Sequence, residues 1–272
     1  MNTERGGPAL GRPTTYPDRY DPSLLFSMDR AATREALGLA DRLPFSGVDI
    51  WTAHEISWLD RGGKPQIAIA EFRIGADSPS LVESKSMKLY LGSFAQERVG
   101  SPTELAQTIE GDLTRVCGAR VSVTLAPPGR GPHIAELPGE SIDSLDVAID
   151  AYQPAPGLLG GGNASVEEAL HSALFRSTCP VTGQPDYADL LVRYRGPRID
   201  RSALLKYLVS YRRHAAFHEA CVERIFIDIA ERCRPDRLTV YARFLRRGGI
   251  DINPFRSNFE SAPKLSERTA RQ

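Results

Sequence analysis

One order of patterns comes round twice in this chain: two strand-like runs, a helical stretch, then another strand. The first copy opens with the β-rich run from Val48 to Leu59, the turn Asp60-Arg61-Gly62-Gly63-Lys64-Pro65, and a second run from Gln66 to Ile74. Two such runs joined by a glycine turn predict a hairpin. The pattern turns helical from Ser86 to Gln96, and Ser101 with Glu104 makes a capping box for a helix reaching about Cys117. Ala119 to Leu125 alternates as a strand until Pro127 and Pro128 stop it. The second copy reads as a short strand at Val147 to Asp150, a Pro/Gly loop from Pro154 to Gly162, and strands at Leu170 to Thr178 and Tyr187 to Tyr194. A long helix over about 201–233 follows, with Leu204, Leu208, Phe217, Cys221 and Ile225 near helical spacing, and Leu238 to Phe244 closes as a strand. The recurrence predicts an α+β fold in two similar halves, 46–140 and 141–272. Ahead of them, Pro8, Pro13, Pro17, Pro22 and Pro44 predict an irregular arm over 1–45 with one short helix near 29–38.

Charge narrows the function. Lys+Arg number 34 and Asp+Glu number 34, so the net charge is zero. A protein that grips nucleic acid through its phosphates carries a basic surplus, so direct nucleic-acid binding is not expected and small anions remain suitable ligands. The first residues lack the basic start and apolar stretch of a signal peptide, and no run approaches the roughly 20 apolar residues that cross a bilayer. Cys117, Cys179, Cys221 and Cys233 show no CxxC spacing, so free thiols are expected. A cytoplasmic globular protein is the expectation, with no membrane contact.

Three segments hold residues with chemistry to offer. In Phe175 to Asp186, a strand ends and a loop with Gly183 and two prolines presents Cys179 and Asp186 seven residues apart. A thiol beside backbone amides and Arg176 suits a thiolate nucleophile, and a carboxylate raised by desolvation suits proton transfer. A small buried cysteine with a turn aspartate fits the same letters, and composition alone does not decide. His214 and His218 stand four apart on the expected helix, a spacing that can ligate zinc, but no third ligand has diagnostic spacing. His218 with Glu219 also suits hydrogen bonds to a ring with adjacent N–H donors, or simply a solvated helix face. Ser84, Lys85 and Lys88 at a helix start, and Arg246-Arg247-Gly248-Gly249 near the carboxyl end, suit phosphate or an ordinary cap and turn. No GxGxxG follows a strand, so a Rossmann site is not supported.

Together these segments resemble one family. Glu83-Ser84-Lys85-Ser86-Met87-Lys88-Leu89-Tyr90, the Cys179 to Asp186 loop, Phe217-His218-Glu219, and Arg246 to Pro254 are similar, in the same order, to the NADPH-dependent 7-cyano-7-deazaguanine reductases of queuosine biosynthesis. The likeness extends to Tyr20 to Leu25 and Asp49 to Thr52, and the length matches the family's long, two-module branch. It implies two tandem tunnelling-fold (T-fold) modules, related to GTP cyclohydrolase I without its zinc, with antiparallel sheets and helices on one face. Each module should run two strands, helices, two strands. It further implies a homodimer, no metal, and two NADPH consumed as a nitrile becomes an amine. Cys179 would form a covalent thioimide and Asp186 would supply the proton. Val82, Glu83, Ser84, His218 and Glu219 would contact the deazapurine; Ser84, Lys85, Arg247 and Gly248 would contact NADPH. Two rivals stand beside it: a zinc-dependent T-fold enzyme, and a non-catalytic binding protein.

Overall fold

The computed structural model describes residues 16–39, 42–263 and 267–272, so the readings of Pro8 and Pro13 lie outside it. A 3-10 turn at Pro22–Leu24 leads to β1 (Ser27–Asp29) and the short helix α1 (Ala31–Glu35). β2 (Ser46–Leu59) and β3 (Pro65–Gly75) form the expected hairpin, β4 (Ser80–Val82) pairs back on β1, and α2 (Ser84–Gly92) and α3 (Pro102–Cys117) follow. Next come β5 (Val121–Ala126), the two-residue strands β6 (His133–Ile134) and β7 (Glu140–Ser141), and the long hairpin β8 (Gly161–Thr178) and β9 (Pro185–Ile199). The chain continues through α4 (Arg201–Ser210), α5 (His218–Cys233), β10 (Arg237–Phe244), β11 (Ile250–Ser257) and β12 (Glu267–Arg268).

One eight-stranded sheet, ordered β5-β3-β2-β11-β10-β9-β8-β7, carries the molecule and is antiparallel except where β7 joins β8. The expected α+β class is what forms. Local chemistry accounts for its pieces. Asp60 closes the β2–β3 turn by accepting from the Lys64 N–H at 3.0 Å, with Gly63 at φ +87°. Ser101 caps α3 by accepting from the Glu104 N–H at 3.1 Å, Pro102 starts the helix, and Gly118 ends it at φ +67°. Tyr90, Leu105, Ile109 and Leu113 of α2 and α3 pack on Trp51, Phe72 and Ile74 of the sheet. Leu204, Leu208, Val222 and Ile225 of α4 and α5 pack on Leu190, Val192, Val240 and Phe244 of the same face. Val48, Ile50, Leu191, Tyr241 and Phe255 form a smaller cluster under Leu137 and Ala262. Among the described residues no helix is long and apolar enough to cross a membrane.

Four expectations are corrected. Residues 147–150 form no strand. The Pro/Gly loop ends earlier than expected because Gly161 opens β8; a Cβ there would lie 2.1 Å from the Arg198 carbonyl oxygen, so glycine permits the close backbone approach. The long helix is two, broken by a 3-10 turn at Tyr211–Arg213 and an extended stretch in which Thr178 pairs with Ala215. Finally, Ile250–Ser257 is a strand, where the residues alone read as a turn; it is the second strand after the helices that the resemblance implies for this half. β11 pairs with β10 only over Phe255–Ser257, so Pro254 sits where the two strands part. In the first half, β5 is the one long strand after the helices; the Pro/Gly-rich stretch beyond it makes just the two-residue strands β6, paired with β12, and β7, which joins the far edge of the main sheet beside β8.

Candidate active site

A cavity of about 300 Å³ lies between β4, the start of α2, the β8–β9 loop and the start of α5, with Trp51 of β2 and Ile252 of β11 in its wall. Val82, Glu83, Ser84, Lys85, Cys179, Asp186, His218, Glu219 and Arg247 all line it. Of the catalytic, substrate and cofactor residues that the resemblance implies, only Gly248 lies outside the lining, and it sits against Lys88, which belongs to it.

Cys179 and Asp186 bracket the loop of one hairpin. Thr178 pairs with Pro185 and Ser177 with Asp186, and the Cys179 N–H donates to the Gln184 carbonyl at 2.8 Å, with Gly183 at φ +68° completing the tight return. Cys179 is half-buried. Burial pushes its thiol up, but hydrogen bonds from the Thr182 hydroxyl, the Thr182 and Val181 N–H groups and Arg247 outweigh this and leave it below the usual thiol value. The other three thiols have no such set of donors, Cys221 having the Ser177 hydroxyl alone: burial takes Cys117 to about 11, Cys221 to about 12 and Cys233 to about 11.

Asp186 differs from the expectation. Desolvation does push it up, but His218 and Arg247 override burial and hold it below the ordinary carboxylate value. Arg247 Nη1 donates to Asp186 Oδ1 at 2.6 Å, and His218 Nε2 stands 3.4 Å from Oδ2. Its resting form is therefore the carboxylate, a proton acceptor first. His218 begins α5, with its ring stacked on Phe244 at 3.9 Å between centroids.

Glu219, next along, is 4% exposed, and its Oε1 has no hydrogen-bond partner among the described residues. Burial and then the nearby Asp49 charge raise its pKa. Trp51, also in the wall, has a buried Nε1 without a partner. A buried acceptor and donor left unmatched cost free energy, which a polar ring spanning the cavity would recover.

The α2 end is not the phosphate cradle that its sequence suggests. Glu83 is the N-cap: its two carboxylate oxygens accept the Lys85 and Ser86 N–H groups, each at 2.8 Å. Those amides are occupied, so any anion must be held by side chains. Lys85, Lys88 and Arg247 supply three cations in one wall, and burial, followed by Arg247, lowers Lys88. Arg247-Gly248-Gly249-Ile250 is a type I′ turn with φ +59° and +82° at its glycines. A Cβ on Gly248 would lie 3.2 Å from Lys88 Cδ, so glycine there lets the lysine stem lie close. The donor set fits a phosphorylated cofactor, with one difference: Arg247 is already engaged with Asp186, Thr182 and Gln184 of the cysteine loop.

The proposed His214–His218 helix pair does not exist. His214 lies in the extended break, where its carbonyl accepts the Thr178 N–H at 2.9 Å. Among the described residues no group of three or more His, Cys, Asp or Glu is placed to hold a metal ion. Sequence reasoning missed Thr182 and Gln184, which hold the cysteine and Arg247, and Trp51 and Ile252 in the walls. A hydroxyl three residues after a loop cysteine was the available signal for Thr182.

A thiol lowered by donors, a carboxylate beside it and a buried acceptor and donor without partners among the described residues make a cavity suited to nucleophilic chemistry on a small polar molecule. Residues 16–125 match the family described as nitrile reductase, 7-cyano-7-deazaguanine-reductase N-term, and residues 185–263 match that of QueF-like protein. The NADPH-dependent 7-cyano-7-deazaguanine reductase of Bordetella pertussis is 56% identical over 266 residues, 97% of each chain. The same-named enzyme of Chromobacterium violaceum is 54% identical over 97% of this chain and 96% of its own, and that of Burkholderia vietnamiensis is 51% identical over the whole of both. The chain belongs to the NADPH-dependent 7-cyano-7-deazaguanine reductase family.

Proposed function

We propose that this protein reduces the nitrile of 7-cyano-7-deazaguanine to the amine of 7-aminomethyl-7-deazaguanine, with NADPH, through a thioimide on Cys179. The observation that carries the reading is the convergence of the lowered thiol, Asp186 and the unpaired Glu219 oxygen on one cavity.

Cys179 gives its proton to the Asp186 carboxylate and its sulfur bonds to the nitrile carbon. One C–N π bond breaks, and Asp186 passes the same proton to nitrogen. Asp186 thus serves as proton donor without being protonated at rest, which suits its low resting pKa. Two NADPH, bound in turn, would supply one hydride each to take nitrile to amine, with the second proton on nitrogen drawn from solvent. Cys179 leaves after the first reduction, and the donors that stabilise its thiolate, Thr182, the Val181 N–H and Arg247, make it as good a leaving group as a nucleophile. Holding the intermediate in a cavity walled by Trp51, Phe217 and Ile252 keeps water from the imine. Glu219 accepts from the base's adjacent N–H donors, with Val82, Glu83, Ser84 and His218 as further contacts; Ser84, Lys85, Arg247 and Gly248 face NADPH.

The same reading takes the two halves of the sheet as tandem T-fold modules assembled as a homodimer, working on a free base in the cytoplasm for tRNA queuosine biosynthesis, without direct nucleic-acid contact. Mass spectrometry of the protein with the cyano base and no NADPH tests it. A gain of one substrate mass is expected, lost in Cys179→Ala; an unmodified wild type would refute the thioimide.

A further inference from the structure

Behind the recognition end of the cavity lies a fully buried charge cluster drawn from four separate parts of the chain. Arg30, just ahead of α1, pairs with Asp49 of β2, and Arg34 of α1 pairs with Glu223 of α5 at 2.8 Å. Arg256 of β11 joins both acids, at 2.7 Å to Asp49 and 2.9 Å to Glu223. Arg30 also reaches toward Glu223 at 3.8 Å and donates to Ser78 Oγ at 3.2 Å. None of these five side chains is more than 10% exposed. Three guanidiniums thus meet two carboxylates, and one positive charge is left over. The next carboxylate is Glu219, one helical turn before Glu223 and so on the same face of α5. Arg30 and Glu219 both line a second, small cavity of about 20 Å³, shared with Phe217, Ala220 and Glu223. Glu219 therefore stands as a partition, with the substrate cavity on one side and Arg30 on the other.

We propose that Arg30 is a positioning residue for base recognition, balancing the Glu219 carboxylate from behind so that its free oxygen meets the base as a charged acceptor. The inference rests on the reading that Glu219 binds the base. It gives the amino-terminal arm a part in the site: the arm reaches the cavity through one buried guanidinium. The groups facing Glu219 are Arg30, Asp49 from β2, His218 and Glu223 from its own helix, and Glu83 across the cavity at the start of α2. Arg34 and Arg256 act on it only through Asp49 and Glu223. Burial and Asp49 favour the neutral acid, while Arg30 and His218 favour the anion.

The opposed signs make the test specific. In full-length Cys179→Ala protein, which binds without forming a bond, affinity for 7-cyano-7-deazaguanine is measured by calorimetry from about pH 5 to about pH 8. Affinity should rise with pH as Glu219 ionises. Adding Arg30→Met should move that rise upward by about one pH unit, Asp49→Asn should move it downward, and Arg30→Lys should restore the parent profile. General loosening of the fold would lower affinity at every pH and could not give two opposite shifts. If Glu219→Gln binds as tightly as the parent, the reading of Glu219 as the base's acceptor is wrong. If Glu219→Gln loses affinity but neither Arg30→Met nor Asp49→Asn moves the rise, the reading survives and the role of Arg30 is overturned. Where Arg30→Met does not fold, Asp49→Asn and Arg30→Lys decide. A flat parent profile together with a weak Glu219→Gln also overturns it.

Discussion

The two ends of the cavity treat their acids in opposite ways. At the reactive end, Cys179 and Asp186 are both held below their ordinary values although burial opposes it. At the end proposed for recognition, Glu219 is held above, because burial and Asp49 act together on a carboxylate whose Oε1 has no donor among the described residues. Depth of burial does not by itself decide the sign. What differs is the count of donors: Cys179 has a hydroxyl, two amides and a guanidinium, and Asp186 has a guanidinium and an imidazole. A reacting group must be ready before substrate arrives, so its partners are built in. A recognition group is completed by the ligand, so its partner is left out.

The largest effect expected breaks the reactive end outright. Cys179→Ala should lower kcat by about 10⁴-fold or more, read as NADPH consumption dependent on the cyano base. Binding of the base should be largely kept, because Glu219 and its cluster are untouched. Equal loss of binding and turnover would mean that the two ends are not separable.

Arg256→Met attacks the other end. It removes the guanidinium shared by Asp49 and Glu223 and leaves them to Arg30 and Arg34, and one partner lost from a buried ion network costs up to about 3–5 kcal/mol, measurable by denaturant unfolding. The pH sign follows from the acids. Asp49 and Glu223 are held below their ordinary values against the pull of burial, by Arg256 above all and then by Arg30, with Arg34 acting on Glu223 as well. Their contribution is present above the unfolded carboxylate range near pH 4 and is lost as pH falls through the depressed folded values. The acid limb of wild-type stability should therefore be steep, and shallower in Arg256→Met.

Arg247→Ala sharpens the comparison by removing a donor while leaving the thiol in place. Activity should fall by about 10²-fold. The alkylation rate of Cys179 should reach its midpoint at a higher pH than in wild type, since a group that lowers the thiol has gone. An unshifted midpoint would assign the lowered thiol to Thr182 and the amides alone.

Much of this arrangement was legible in the letters, and the parts that were not have physical reasons. The β2–β3 hairpin and α3 follow from turn and cap residues that act over three or four positions, at Asp60, Ser101 and Gly118. The cavity residues were legible through family likeness, because Val82, Cys179 and Arg247 lie far apart in sequence and meet only in the folded chain. The break after Ser210 was hidden: no Pro or Gly marks it, and its cause is pairing of Thr178 with Ala215. β11 was hidden because its start follows the Arg246 to Gly249 turn directly, and only the resemblance implied a second strand after the helices. Nothing in the sequence marked Arg30 and Arg34, on the short helix expected in the arm; only the positions of Asp49, Glu223 and Arg256 make them interior.

The smallest effect compares two thiols of the same half. Cys221 lies on α5 two residues after Glu219, fully buried, with only Ser177 near enough to donate to it. One hydroxyl against complete desolvation leaves it at about 12, whereas Cys179, half-buried with several donors, falls below the usual value. At neutral pH an alkylating reagent should therefore modify Cys179 and leave Cys221 untouched in the folded protein. Cys221→Ala should keep full turnover and lose only about 1 kcal/mol of stability, the ordinary cost of a small void in a packed core. A loss of turnover without loss of stability would mean that Cys221 acts on the site through Ser177, the strand neighbour opposite Asp186, and that the donor count around Cys179 does not by itself set the chemistry.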